Sequence, residues 1–293
     1  MVRWKWLAGL SGLGFLGSVG PLFWNNVGGG ASHAEFKKGL KRALQASRDW
    51  TLCKDFASLE AQQARVSEFL SNPALLLMVA DCSRMAGDKE LGVLVDTFVA
   101  ANQNNPWLRM LDSKSRFVAP PPEYSKRLLD YQRWFLWVMA PDRIQLARSE
   151  RADLESPDGM GRGRLTHQLF AWVLYRNTYG RSPSLDARIR HLAERVAGEA
   201  FVDFRVTDQY LQRVAFLLYA GHPDLVRPRW VERVLAAQQN DGGWTWAWYG
   251  WEPQVFHFRI PEEHSTAHPT AQGLWIVHML EYRYAAWAER AYR

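Results

Sequence analysis

Cysteine is nearly absent: Cys53 and Cys82 are the only two in 293 residues. They do not form a Cys-x-x-Cys pair, so a thiolate zinc site has no support. In an exported protein an even count suggests a disulfide, here closing a loop of about thirty residues and adding on the order of 3 kcal/mol. Two buried thiols are the other reading. Other signatures are missing as well. There is no Gly-x-Ser-x-Gly elbow for a nucleophilic serine. A Gly-Lys-Ser/Thr phosphate loop and a His-Glu-x-x-His zinc motif are also absent. Gly159-x-Gly161-x-Gly163 lacks a preceding strand, which a dinucleotide fingerprint requires, so a loop bordering a site is expected there. The net charge is +6, but no Lys/Arg block carries it. A nucleic-acid partner is therefore not expected, and no cofactor or metal is assigned.

What the chain has in excess is tryptophan, fifteen in all. That number implies an aromatic core, an aromatic-lined cavity or a membrane-facing surface. Arg3 and Lys5 precede a stretch without formal charge from Trp6 to Ala34. Its apolar part, ending near Trp24, is roughly long enough to span a bilayer. Basic residues only in front predict the N-terminus inside and the domain outside. The competing readings are a cleaved secretory signal, with Ser32 and Ala34 at the −3 and −1 positions of a cleavage site, and a buried helix. Residues 1–34 are accordingly taken as anchor or signal segment and 35–293 as the domain, with the cytoplasmic membrane as the expected location.

After Ala34 the apolar spacing is helical throughout. Phe36, Leu40 and Leu44 form one stripe, Leu75, Met78 and Val79 another, and Leu91, Leu94, Val95 and Phe98 a third. Asn72-Pro73 marks a helix start. Residues 106–122 read as an irregular connection. Thr166-His167-Gln168, Thr207-Asp208-Gln209 and Thr270-Ala271-Gln272 each precede an apolar helical run, the first two roughly 40 residues apart, as in helical-hairpin repeats. Each Thr is expected to cap the helix behind it.

Gln238-Gln239-Asn240-Asp241-Gly242-Gly243-Trp244 closes one helix and opens a segment holding Trp244, Trp246, Trp248 and Trp251. Glycine supplies positive φ there, and Asn and Asp bond their own backbone. The pattern Gln238-x-x-Asp241-Gly242-Gly243-Trp244 resembles the repeat turn of the α/α-toroid superfamily. That group includes squalene–hopene cyclases, protein prenyltransferases and α/α-barrel polysaccharide lyases. The resemblance implies an all-α fold of helical hairpins around a central cavity, with these five residues structural. Arg233 and Val234 stand where the fuller cyclase motif has an aromatic and a Leu. The cyclase Asp-x-Asp-Asp is missing, and both cysteines lie ahead of Pro106, so neither cyclase nor prenyltransferase chemistry is implied in its known form.

In such a toroid the inner helices start at one end of the cavity. His167, Asp208, Glu263, His264 and His268 would gather there as proton-transfer groups, with Trp246, Trp248 and Trp251 against a ligand. Helix N-termini favour an anion. The expected function is binding or processing of an acidic glycan or similar ligand by a membrane-attached, exported domain. Two alternatives stand beside it: a noncatalytic lipid- or partner-binding module, and a metal-dependent enzyme using His167, His264 and His268.

Overall fold

Ser32 opens the first helix, α1 (His33–Thr51), through a capping box. The Glu35 amide donates to Ser32 Oγ at 3.3 Å, and the Ser32 amide donates to Glu35 Oε2 at 2.8 Å. The 34–35 peptide bond, read from the sequence as a cleavage point, therefore lies within a capped first turn. The computed structural model describes residues 22–23, 25–27, 30–54, 58–156, 164–203, 205–248 and 264–293. Residues 1–21, 24 and 28–29 of the expected anchor or signal segment (1–34), residues 157–163 of the glycine loop, Glu263 and Trp251 lie outside them.

The chain continues through α2 (Leu59–Leu70), α3 (Pro73–Ala86), α4 (Lys89–Ala101) and two single turns, α5 (Leu108–Leu111) and α6 (Pro122–Ser125). Next come α7 (Asp130–Met139), α8 (Arg148–Glu155), α9 (Arg164–Tyr179) and α10 (Pro183–Val202). Then follow β1 (Val206–Thr207), α11 (Asp208–Ala220), a 3-10 turn (Pro223–Leu225), α12 (Pro228–Ala236) and β2 (Ala247–Trp248). The chain ends with α13 (Ala267–His278), a π turn (Met279–Arg283) and α14 (Ala285–Ala291). The molecule is thus all-α, as the spacing predicts. Among the described residues the only strands are β1 and β2, a two-residue antiparallel ribbon pairing Val206 with Trp248 and Thr207 with Ala247.

Local chemistry explains the boundaries. Asn72 caps α3, accepting from the Ala74 amide at 3.1 Å, with Pro73 behind it. Gly87 ends α3 in the left-handed region at φ 66°. The thirteen residues from Pro106 to Val118 are no linker: Trp107, Leu108, Met110, Leu111 and Phe117 are all buried in the core.

Five helices form a row of neighbours: α7 packs on α9, α9 on α11, α11 on α13, and α13 on α3. Around them α8 covers α7, α10 bridges α9 and α11, α4 covers α3, α1 lies on α13, and α12 touches both α11 and α1. Trp134, Trp230, Trp244 and Trp275 are fully buried, and Trp246 is the large exception at 52% exposure. Most described tryptophans therefore belong to the core and do not form a membrane-facing surface.

The Gln238–Trp244 turn joins three helices. Gln238 Nε2 donates to the carbonyls of Ala43 in α1 (3.0 Å) and Gly242 (2.8 Å). Trp244 Nε1 donates to the Val234 carbonyl of α12 at 2.8 Å, and the Trp244 amide donates to Thr270 Oγ1 of α13 at 2.9 Å. Asp241 accepts from Trp50 Nε1 at 3.2 Å, from Ser265 Oγ at 2.6 Å and from the Gly243 amide at 3.1 Å. Gly242 sits at φ 92°, and a Cβ there would lie 2.4 Å from the Ala46 carbonyl oxygen. Gly273 is likewise forced, since a Cβ would lie 2.4 Å from the Trp244 ring.

Of the two cysteine readings the buried thiols hold, and the threonine expectation is corrected. Cys53 and Cys82 are free, both buried in the core, and burial pushes both thiols above their ordinary value. Of the three repeat threonines only Thr207 holds an N-cap position, and its hydroxyl makes no cap bond. Thr166 lies inside α9 and donates to Gln212 Oε1 at 2.6 Å, while Thr270 lies inside α13 on the Trp244 backbone. These hydroxyls tie neighbouring elements together, because the helices begin ahead of them, at Arg164 and Ala267.

Candidate functional site

A cavity of about 280 Å³ opens where the row of helices begins. The N-terminal turn of α3 contributes Asn72, Pro73 and Ala74; α7 contributes Tyr131, Gln132 and Phe135. His167 and Phe170 come from α9, Gln212 and Phe216 from α11, and His268 from the first turn of α13. Trp107, Met110 and Tyr124 close the remaining side from the connection after α4. A second cavity of about 260 Å³ is lined by later residues of the same helices, including Arg84 of α3, Met139 of α7, Asn177 of α9 and Tyr219 of α11. For α3, α7, α9 and α11 the first turns therefore lie toward the first cavity and the later turns toward the second.

His268 is the most constrained polar group on the wall. Its Nδ1 lies 2.6 Å from Asp208 Oδ1. The Asp208 amide donates to the Trp246 carbonyl at 3.2 Å, so the β1–β2 ribbon fixes both residues. The Trp246 ring lies flat on the imidazole, 4.9 Å away and within 5° of parallel. Asp208 is an acceptor when ionised, so Nδ1 carries the proton and donates to it. Nε2 then carries the lone pair, on a ring that lines the cavity. Gln272 refines the picture. Its Nε2 is placed 3.5 Å from His268 Nδ1, while its Oε1 is buried without a partner. A donor facing Nδ1–H is unfavourable. Flipping the amide brings the oxygen to that N–H and removes the mismatch.

His167 stacks on Tyr131, with ring centroids 4.1 Å apart, and burial raises the Tyr131 phenol above its ordinary value. The cavity wall contains no Lys, Arg, Asp or Glu. The helices that line it start toward it, which turns the positive ends of their dipoles to the cavity. Gln168, from the repeat triplet, faces away: its Nε2 donates to the carbonyls of Asp153, Leu154 and Ser156 and closes the end of α8.

The structure thus brings His167 and His268 to one cavity, places Asp208 behind His268, and sets Trp246 against it. It does not bring His264 there: that residue is exposed and absent from the cavity wall. Trp248 contributes backbone to the ribbon. No group of three His, Cys, Asp or Glu side chains able to hold a metal forms among the described residues. Tyr131, Phe135, Trp107 and Met110 are cavity residues not singled out as such from the sequence. The aromatic crowding of α7 is the one signal for Tyr131 and Phe135, and Trp107 and Met110 have none. No family model, curated protein or solved structure matches the chain.

Proposed function

We propose that the five-helix row is the inner layer of an α/α toroid, and that its cavity binds an acidic sugar or similar ring-bearing anion and transfers a proton on it. The observation that carries this reading is His268 on the cavity wall with Asp208 behind it, 2.6 Å from its Nδ1. A carboxylate on Nδ1 fixes the tautomer and orientation of the imidazole and leaves Nε2 as a proton acceptor. Helix starts supply the attraction for an acidic group without a bound cation. Aromatic side chains of α7, α9 and α11 supply flat faces for a ring. Asp208 is a positioning residue, because it acts through His268.

The test separates binding from proton transfer. Glucuronate-containing oligosaccharides are assayed for turnover and for binding with His268→Ala and Asp208→Asn. Both variants are expected to lower kcat by about 100-fold or more while binding persists. Loss of neither turnover nor affinity in His268→Ala would remove the cavity from consideration.

The noncatalytic reading has one supporting observation, the absence of any carboxylate from the cavity wall. It predicts binding with no turnover in any variant.

The Arg3/Lys5 flank supports export with membrane attachment. No helix among the described residues is long and apolar enough to cross a membrane, and the segment proposed for attachment is the uncharged run within residues 1–34. A C-terminal reporter active only outside the cytoplasm should work, and one active only inside should fail; the reverse result refutes export.

A further inference from the structure

Away from the central cavity, the last turns of α7 and α9 and the start of α10 enclose a groove of about 470 Å³. Its floor is aromatic. Trp137 and Tyr175 are near parallel at 13°, with centroids 6.1 Å apart, and Trp172 meets Trp137 edge-on at 6.2 Å. Tyr179 lies beside them, 44% exposed. Guanidiniums lie over three of the rings, Arg151 5.1 Å from Trp137, Arg188 4.6 Å from Trp172 and, farther out, Arg109 5.9 Å from Tyr179. A stacked guanidinium is held flat and keeps its N–H edge free for a bidentate acceptor.

The groove has unused donors. Trp137 is 7% exposed, yet its indole N–H makes no hydrogen bond among the described residues. The Trp172 N–H, by contrast, donates to the Leu154 carbonyl at 3.0 Å. The Trp137 N–H is not among the buried atoms without a partner, so it opens onto the groove, where water or a ligand acceptor can meet it. Arg151 is shared with Glu155 at 2.9 Å, whereas Arg188 has no carboxylate partner among the described residues. The Ser184 hydroxyl stands at the exposed first turn of α10.

We propose that this groove is a second binding site, for an anionic saccharide bearing carboxylate or sulfate. The Tyr179 ring takes the C–H face of a sugar, and Arg188 with the Trp137 N–H takes the acidic group. A neutral sugar leaves Arg188 unpaired, and a bare inorganic anion leaves the aromatic floor unused. The cations already on Trp137 and Trp172 repel a cationic ligand. The site shares no lining residue with the central cavity and does not rest on the function proposed for it.

The experiment titrates the full chain with a heparin-derived hexasaccharide, cellohexaose, sodium sulfate and phosphatidylglycerol vesicles, read by calorimetry and tryptophan fluorescence. Binding of the acidic hexasaccharide but not of cellohexaose is expected. Arg188→Ala should weaken it by about tenfold. Trp137→Phe keeps a ring and removes the N–H; it should weaken binding with the melting temperature unchanged. His268→Ala should leave it untouched. Equal binding of cellohexaose overturns the proposal, as does unaltered affinity in both groove variants. Binding of vesicles without hexasaccharide binding makes the groove a membrane contact and also overturns it. If His268→Ala alone abolishes binding, the acidic ligand sits in the central cavity: the groove proposal falls and the cavity reading stands.

Discussion

His278 shows how one buried side chain sets a pH dependence. Burial holds its imidazole below the ordinary value of 6.5, while its contact with the Leu274 carbonyl, 2.8 Å from Nδ1, acts the other way. The folded pKa is the lower one, so the unfolded chain takes the proton more readily. The contribution to stability is complete above the unfolded pKa and is lost as the pH falls from there through the lower folded pKa. Urea midpoints measured between about pH 7 and about pH 5 should drop more steeply for the native chain than for His278→Gln. Parallel curves would show that His278 is not the group responsible. Gly242 and Trp244 carry a second prediction. Trp244→Ala should cost about 3–5 kcal/mol through the cavity it leaves. Gly242→Ala should cost about 2–4 kcal/mol, since it combines a left-handed backbone with overlap onto the Ala46 carbonyl. Equilibrium urea unfolding measures both. Ligand binding lost at unchanged stability in Trp244→Ala would make that ring a site residue.

At the scale of elements, the stretch ahead of α1 behaves as a cap for α10. Asn25 Nδ2 donates to the carbonyls of Ala200 (2.8 Å) and Phe201 (3.1 Å), which would otherwise be orphaned at the helix end. Asn25 Oδ1 accepts from the Tyr210 hydroxyl at 3.0 Å and from Arg233, and Asn26 Oδ1 accepts from Trp230 Nε1 at 3.0 Å. Asn25→Ala removes a partner from the Ala200 and Phe201 carbonyls, the Tyr210 hydroxyl and Arg233, while Trp230 keeps Asn26; a buried polar group left unsatisfied costs about 1–3 kcal/mol. Its melting temperature should fall well below that of the exposed control Asn104→Ala; equal melting would mean the segment is not docked. The 34/35 boundary expected from hydropathy thus lies behind a packed segment, because an uncharged run can be read as an anchor while its two asparagines report nothing until their partners in α10, α11 and α12 are placed. Other elements were legible for local reasons. Asn72-Pro73 and Asp241-Gly242-Gly243 state their backbone geometry in their own chemistry. The repeat threonines misled because a Thr before apolar residues fits a cap or an inward hydroxyl equally well. Asp208 and His268 were both named as candidates, but their contact spans 60 positions and depends on the two-residue ribbon. Trp107 and Met110, in an aperiodic stretch, gave no hint that they wall the cavity.

Across the whole molecule, the first and last parts of the chain are mutual partners. The helix α1 lies on α13 and touches α12, and Trp50 reaches Asp241 across 191 positions. Arg65 donates to the Ser265 carbonyl at 3.0 Å, and Trp275 donates to Asp81 at 2.8 Å, with Arg283 on the same carboxylate. Each link fastens the opening third of the sequence to its end. During synthesis this arrangement imposes a wait. The amphipathic face of α1 leaves the ribosome long before α13 exists, so it stays uncovered until the final helices emerge. A late-folding nascent chain of this kind remains competent for threading through a translocation pore, and the same delay leaves it dependent on whatever shields apolar surface in the meantime.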